Sequence, residues 1–178
     1  MHAQAETRGV AIPAAGAAIV ELLNSRAHAI HPDGLDDPKR VRNIAERFDP
    51  AGATLEVDTL RAVRNDLFRA VSSTDQSEIE AAWLEFNDHT RDVAFQHDFI
   101  PGGPVNRRQI AGDPTVGGIA LAVADLVNSG AWSRVRVCAN PTCEGAFYDI
   151  TRSRTQKWHS YEICGNRANV AAYRARRN

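Results

Sequence analysis

All three cysteines of this 178-residue chain fall within 27 positions near its C-terminus. With one histidine they form two close pairs, Cys138-x4-Cys143 and His159-x4-Cys164, separated by fifteen residues. An odd number of cysteines argues against a closed disulfide framework. In a reducing compartment, clustered thiols serve more often as metal ligands or catalytic groups. Zinc takes four thiolate or imidazole ligands in a tetrahedron, and two close pairs joined by a spacer are how a short chain supplies them. The surrounding segment holds few large apolar residues and can hardly fold on its own core, whereas structural zinc contributes roughly 10–16 kcal/mol of apparent binding free energy. Cys138, Cys143, His159 and Cys164 are the expected ligands of one structural Zn2+, a set that leaves no open position for catalysis.

The order of elements around the ligands fits a treble-clef-like module. Cys138 and Cys143 bracket a turn containing Asn140 and Pro141. In the spacer, "AFYDI" (146–150) and "QKWHS" (156–160) are expected to pair as short strands across "TRSRT". Cys164 is then expected to open a helix, "CGNRANVAAYRARR", where free N–H groups and the helix dipole favour a thiolate.

The upstream part reads as mainly helical after a loose N-terminal tail. Ile19, Leu22, Leu23 and Ile30 recur at helical spacing, Pro38 sits near the start of a short helix, and Leu60, Val63, Leu67, Phe68 and Val71 define an amphipathic helix. Another helix carries Ile79, Trp83 and Phe86 on one side. "VAFQHDFI" and "VNRRQIAG" flank "PGGP" as a short hairpin. "DPTVGGIALAVADLVNSG" is nearly uniformly apolar, with Asp113 as cap, Pro114 at the first position and Gly130 as stop; it is expected to be the central core helix. The predicted fold class is mainly α: a helical domain with a short β-hairpin over residues 1–133, then a small zinc module over 134–178.

The net charge of −1 conceals an asymmetry. Residues 134–178 hold nine Lys/Arg against three Asp/Glu, whereas residues 1–133 hold twelve against nineteen. The basic end is the candidate for a polyanionic partner. Arg152, Arg154 and Lys157 lie on or near the expected spacer hairpin, and Arg167, Arg174 and Arg177 on the final helix; these are the candidate nucleic-acid contacts. Arginine pairs with phosphates and reads guanine edges. Arg167 and Arg174 lie two turns apart on one face beside Val170, while Arg176 points nearly the opposite way. Tyr148, Trp158 and Tyr173 are expected to serve the module's core rather than to stack on bases.

Other chemistry is weakly signalled. His28 and His31 read as a surface pair at a helix end. His89, Asp92 and His97 are not arranged around a nucleophile. No Gly-rich phosphate loop or serine elbow is present, so no enzymatic activity is expected. No stretch approaches the roughly 18 uninterrupted apolar residues of a membrane span. The first ten residues lack the apolar core of a signal peptide, so a cytoplasmic location without a membrane partner is expected.

The C-terminal segment resembles the CGNR zinc-finger family. Its pattern runs C-x4-C, an aromatic F-x-D-x-[ST]-[RK] stretch, W-C, then C-G-N-R and a basic helix; Phe147, Asp149, Arg152, Trp158, Cys164, Gly165, Asn166 and Arg167 match it. The departure is His159, where the family usually has cysteine, and the resemblance implies a Cys3His site. Upstream, "ELLNSRA" and "LRAVRNDLFRAV" are similar to the L-x-N-T-R and L-R-x-A-[LV] elements of the ABATE domain that usually accompanies this finger. Members are described as stress-induced transcription regulators, which implies DNA binding by the finger.

The expected partners are DNA, a small-molecule ligand sensed by the helical domain, or a second copy in a homodimer. The alternatives are a zinc-braced adaptor for an acidic protein and an RNA-binding module. Gly165 is expected to let the backbone approach the metal, Asn166 to brace the turn, and Arg167 to meet either phosphate or Asp149.

Overall fold

The apolar run after Gly112 forms a core helix, but the helix that meets most of the others is the first one, Ala14–Leu23. In the computed structural model, which describes residues 9–51 and 56–175, α5 (Pro114–Asn128) starts where the Asp113 carboxylate accepts the Val116 N–H at 2.9 Å. Pro114 fills the first helical position, where a missing N–H costs nothing. The helix stops where Gly130 adopts φ +66°, a left-handed conformation glycine enters without a Cβ penalty. The Ala131 N–H then returns to the Leu126 carbonyl at 2.7 Å.

α5 packs on α1 (Ala14–Leu23), which also meets α2 (Pro38–Ala45) and α3 (Val57–Ser72), and α3 packs in turn on α4 (Gln76–His89). Ile19, Leu22 and Leu23 of α1, Leu60, Val63 and Leu67 of α3, Phe86 of α4 and Ile119 of α5 form one buried cluster. Strands β1 (Ala94–Phe99) and β2 (Val105–Ala111) make the expected antiparallel hairpin, with Phe99 opposite Val105 across the Pro-Gly-Gly-Pro turn. Among the described residues, no helix is long and apolar enough to cross a membrane. The expected N-terminal tail lies largely outside the described residues.

The first helix ends earlier than its apolar spacing suggests. It stops at Leu23, and Ile30 is 91% exposed. Ser25 and Asn24 divert their side chains to other partners, the competition by which short polar residues end helices: Ser25 Oγ donates to the Leu22 carbonyl (2.7 Å), and Asn24 reaches residue 146. His28 and His31 are therefore not a helix-end pair. They exchange both backbone hydrogen bonds (3.1 and 2.9 Å) around a tight turn in which Ala29 has φ +50°.

Arg64 holds this turn region to α3. Its buried guanidinium donates to both carboxylate oxygens of Asp33 (2.8 Å each) and to Ser25 Oγ (3.3 Å). This paired geometry lowers the Asp33 carboxyl pKa below its ordinary value.

The C-terminal part comprises β3 (Val135–Val137), β4 (Ala146–Tyr148), a short π-helical turn (Tyr161–Gly165) and α6 (Asn166–Ala175). Its strand pairing differs from the sequence expectation. β4 pairs with β3, placing Val135, Arg136 and Val137 opposite Tyr148, Phe147 and Ala146, while residues 156–160 form no strand. The reason lies on the outer edge of β4. The Asn24 carboxamide occupies it, accepting the Ala146 N–H (2.7 Å) and donating to the Ala146 carbonyl (2.9 Å). A strand from 156–160 would need those same backbone groups.

Alternation along β4 then divides its side chains. Ala146 and Tyr148 join the helical core, and Phe147 faces the cysteines.

Candidate metal centre and basic helix

The Cys138–Cys143 turn is the loop of the β3–β4 hairpin. Asn140 shapes it from both ends: its carbonyl accepts the Cys143 N–H (2.9 Å), and its side-chain oxygen accepts the Thr142 N–H (3.1 Å) and hydroxyl (2.9 Å). The chain leaves through Glu144 at φ +50°. Cys164 comes from the other side, in the turn capped by Ser160, whose carbonyl accepts the Cys164 N–H at 3.0 Å. The helical turn thus opens at Tyr161, before Cys164 rather than at it.

The ligand atoms of Cys138, Cys143, His159 and Cys164 all lie within 4.8 Å of one another. His159 Nδ1 stands 3.2 Å from Cys143 Sγ and 3.6 Å from Cys164 Sγ. A tetrahedron with Zn–S legs of about 2.3 Å and Zn–N legs of about 2.0 Å has edges of roughly 3.5–3.8 Å, so the four atoms fit one zinc ion. The geometry offers Nδ1 as the ligand nitrogen of His159.

Donors to sulfur complete the site. The buried Asn140 amide donates to Cys164 Sγ (3.4 Å) and the Gly145 N–H to Cys143 Sγ (3.4 Å). These bonds orient the ligands and temper their charge. Burial pushes the Cys143 thiol up to about 11. Burial acts on Cys164 in the same sense but is outweighed by the Asn140 amide, the neighbouring sulfurs and the Arg167 charge, so its pKa falls below the ordinary thiol value. Phe147 and the half-buried Trp158 cover the cluster.

Residues 134–177 match the CGNR zinc finger. No curated protein matches the chain. The Cys3His cluster of this finger fits one structural zinc ion. The signature residues have separable local roles. Asn166 braces the turn, donating to the Glu162 carbonyl (3.1 Å). Gly165 serves packing rather than approach to the metal: a Cβ there would stand 2.8 Å from the Tyr161 ring and 3.1 Å from Trp158.

Asp149 is fully buried. Its carboxylate accepts from the Thr151 N–H (2.8 Å) and hydroxyl (2.5 Å), the Gln156 N–H (2.9 Å) and Arg136 (3.4 Å). Arg136 is thus the cation that meets Asp149. Among the described residues Arg167 has no ion pair.

The six predicted basic contacts separate. Arg167 and Arg174 line one groove of α6 with Glu162, Ile163, Asn166 and Val170. Arg154 faces elsewhere, donating to Ser133 Oγ (2.9 Å) and the Gly130 carbonyl (3.2 Å). Arg152 and Lys157 are exposed, and Arg177 lies outside the described residues. Of the three aromatics expected in the module's core, Trp158 packs against the cysteine cluster, Tyr148 turns instead into the helical core, and Tyr173 is 54% exposed.

The residues that join finger to helices, Asn24 and Arg26, were not among the site candidates. Arg26 lies over the Phe68 ring at 3.8 Å and donates to the Glu144 carbonyl at 3.1 Å. Their only sequence signal is the Asn-Ser-Arg element at the end of α1.

Proposed function

We propose that this protein is a DNA-binding transcription regulator whose zinc finger holds duplex DNA through α6. The observation that carries the reading is the α6 groove: Arg167 and Arg174 lie on one exposed face, and neither has an ion pair among the described residues. Unpaired guanidiniums on a zinc-braced helix are suited to phosphate oxygens and to guanine edges. Zinc is structural in this reading, and the acidic helical part senses a ligand or mediates assembly. A role in stress-responsive transcription, and an ABATE-like helical part, extend the resemblance of the motifs.

Ile163 and Val170, both about half exposed in the same groove, favour a second reading in which an acidic protein docks there.

Fluorescence anisotropy of zinc-loaded protein with duplex DNA at two salt concentrations separates the two. The DNA reading expects micromolar or tighter binding at low salt, falling several-fold as salt rises through counterion release. It also expects a marked loss in the R167Q/R174Q double variant. No binding at low salt overturns it and leaves the docking reading.

A further inference from the structure

We propose that the cleft between the His28–His31 turn and the zinc finger is a binding site for a phosphate group. The cleft encloses about 600 Å3. Arg40 and Arg167 line it together with His28, Thr142 and the candidate zinc ligands Cys143, His159 and Cys164, and among the described residues no carboxylate does.

Both guanidiniums are available. Among the described residues neither has an ion pair; Arg40 packs over Gly34 and has a 3.5 Å contact with the Asn24 carbonyl. Acids beside these elements have partners: Asp36 pairs with Arg61, Asp37 accepts the Lys39 N–H at 2.9 Å, Glu144 pairs with Arg26 at 3.7 Å, and Glu162 accepts from Ser160 Oγ at 3.1 Å.

Charge bookkeeping decides the sign of the guest. Three thiolates and one zinc ion carry −1, which a single guanidinium offsets, so the second leaves the cleft positive. Two guanidiniums in the wall of one cleft offer several N–H donors to the oxygens of a phosphate. His28 lies in the same wall, its Nδ1 2.7 Å from the Arg26 carbonyl and its Nε2 toward the finger. A Cβ built on Gly145 would stand 3.9 Å from that Nε2 and 3.4 Å from Cys143 Sγ. The cleft therefore spans the junction of helices and finger.

The phosphate belongs either to a free phosphorylated molecule or to the backbone of a bound duplex. The site stands on its own lining; only the backbone-phosphate alternative rests on the duplex reading.

The experiment uses the zinc-loaded full chain, wild type, R40Q and R174Q. Each is titrated with inorganic phosphate against chloride at matched ionic strength, following Tm and zinc content, and each is then titrated with duplex DNA. Arg40 is an exposed residue of α2 and Arg174 lies outside the cleft. A saturable phosphate-dependent rise in Tm for wild type and R174Q, with at least fivefold weaker apparent affinity in R40Q, supports a free-anion site. Several-fold weaker duplex binding in R40Q, with the salt slope lower by about 1, supports a backbone phosphate. No phosphate effect beyond chloride, together with unchanged duplex binding and slope in R40Q, overturns the proposal. Unchanged duplex binding in R174Q would count against the duplex reading alone.

Discussion

At the scale of single residues, the site is assembled by side chains far apart in sequence. Asn24 closes the edge of β4 with two hydrogen bonds to Ala146. In N24A the buried Ala146 N–H and carbonyl lose both partners, at a cost of about 2 kcal/mol; urea denaturation of the zinc-loaded protein measures it, and unchanged stability would contradict the edge-closing role. The Cys3His cluster was legible in the sequence because both of its pairs are local and their spacing suits zinc. Asn24 was not, because its partner lies 122 residues away.

Asp149 makes a pH-dependent contribution. Burial raises its pKa, but Thr151, Gln156 and Arg136 outweigh burial and hold it below the ordinary carboxylate value. Its folded-state pKa is depressed, so the stabilisation is present above the unfolded value and is lost as pH falls from about 4 through the folded one. Asp33, paired with Arg64, acts in the same direction. D149N is expected to lower stability near neutral pH by about 2 kcal/mol and to flatten the stability profile below about pH 4, read by urea midpoints across pH.

At the scale of elements, packing decides what periodicity leaves open. α3 was legible from its amphipathic run alone, since Glu56 at its start makes no capping bond. α4 and α5 were legible because such runs coincide with capping residues: Asp75 and Asp113 each accept a backbone N–H of the helix they start. The end of α1 was not, since Leu23 and Ile30 keep the same apolar spacing on either side of the Asn24–Ser25 stop. Residues 156–160 were misread as a strand because nothing local shows that Asn24 has taken the β4 edge. α1 and β4 also touch directly: a Cβ on Gly16 would stand 2.9 Å from two atoms of the buried Tyr148 ring. G16A is therefore expected to destabilise the protein by about 1–3 kcal/mol, despite alanine's better helix propensity. A thermal melt at or above the wild-type midpoint would contradict that contact.

At the scale of the whole molecule, finger and helices share a core. Val135, Ala146 and Tyr148 pack with Ile19, Leu22 and Ile119, while among the described residues the finger's own buried cluster is Cys138, Phe147 and Cys164. Zinc held by the finger should then stabilise the helices as well. Chelation is expected to lower the temperature of the main unfolding transition followed by helical circular dichroism, and a helical transition indifferent to zinc would contradict the shared core.

Everything at this scale depends on the metal site being Cys3His. X-ray absorption at the zinc edge of the full chain tests that most directly. The geometry predicts three sulfurs at about 2.3 Å and one nitrogen at about 2.0 Å, becoming four sulfurs in H159C and losing the protein nitrogen in H159A. A wild-type spectrum with no nitrogen shell, or one unchanged in H159A, would contradict it.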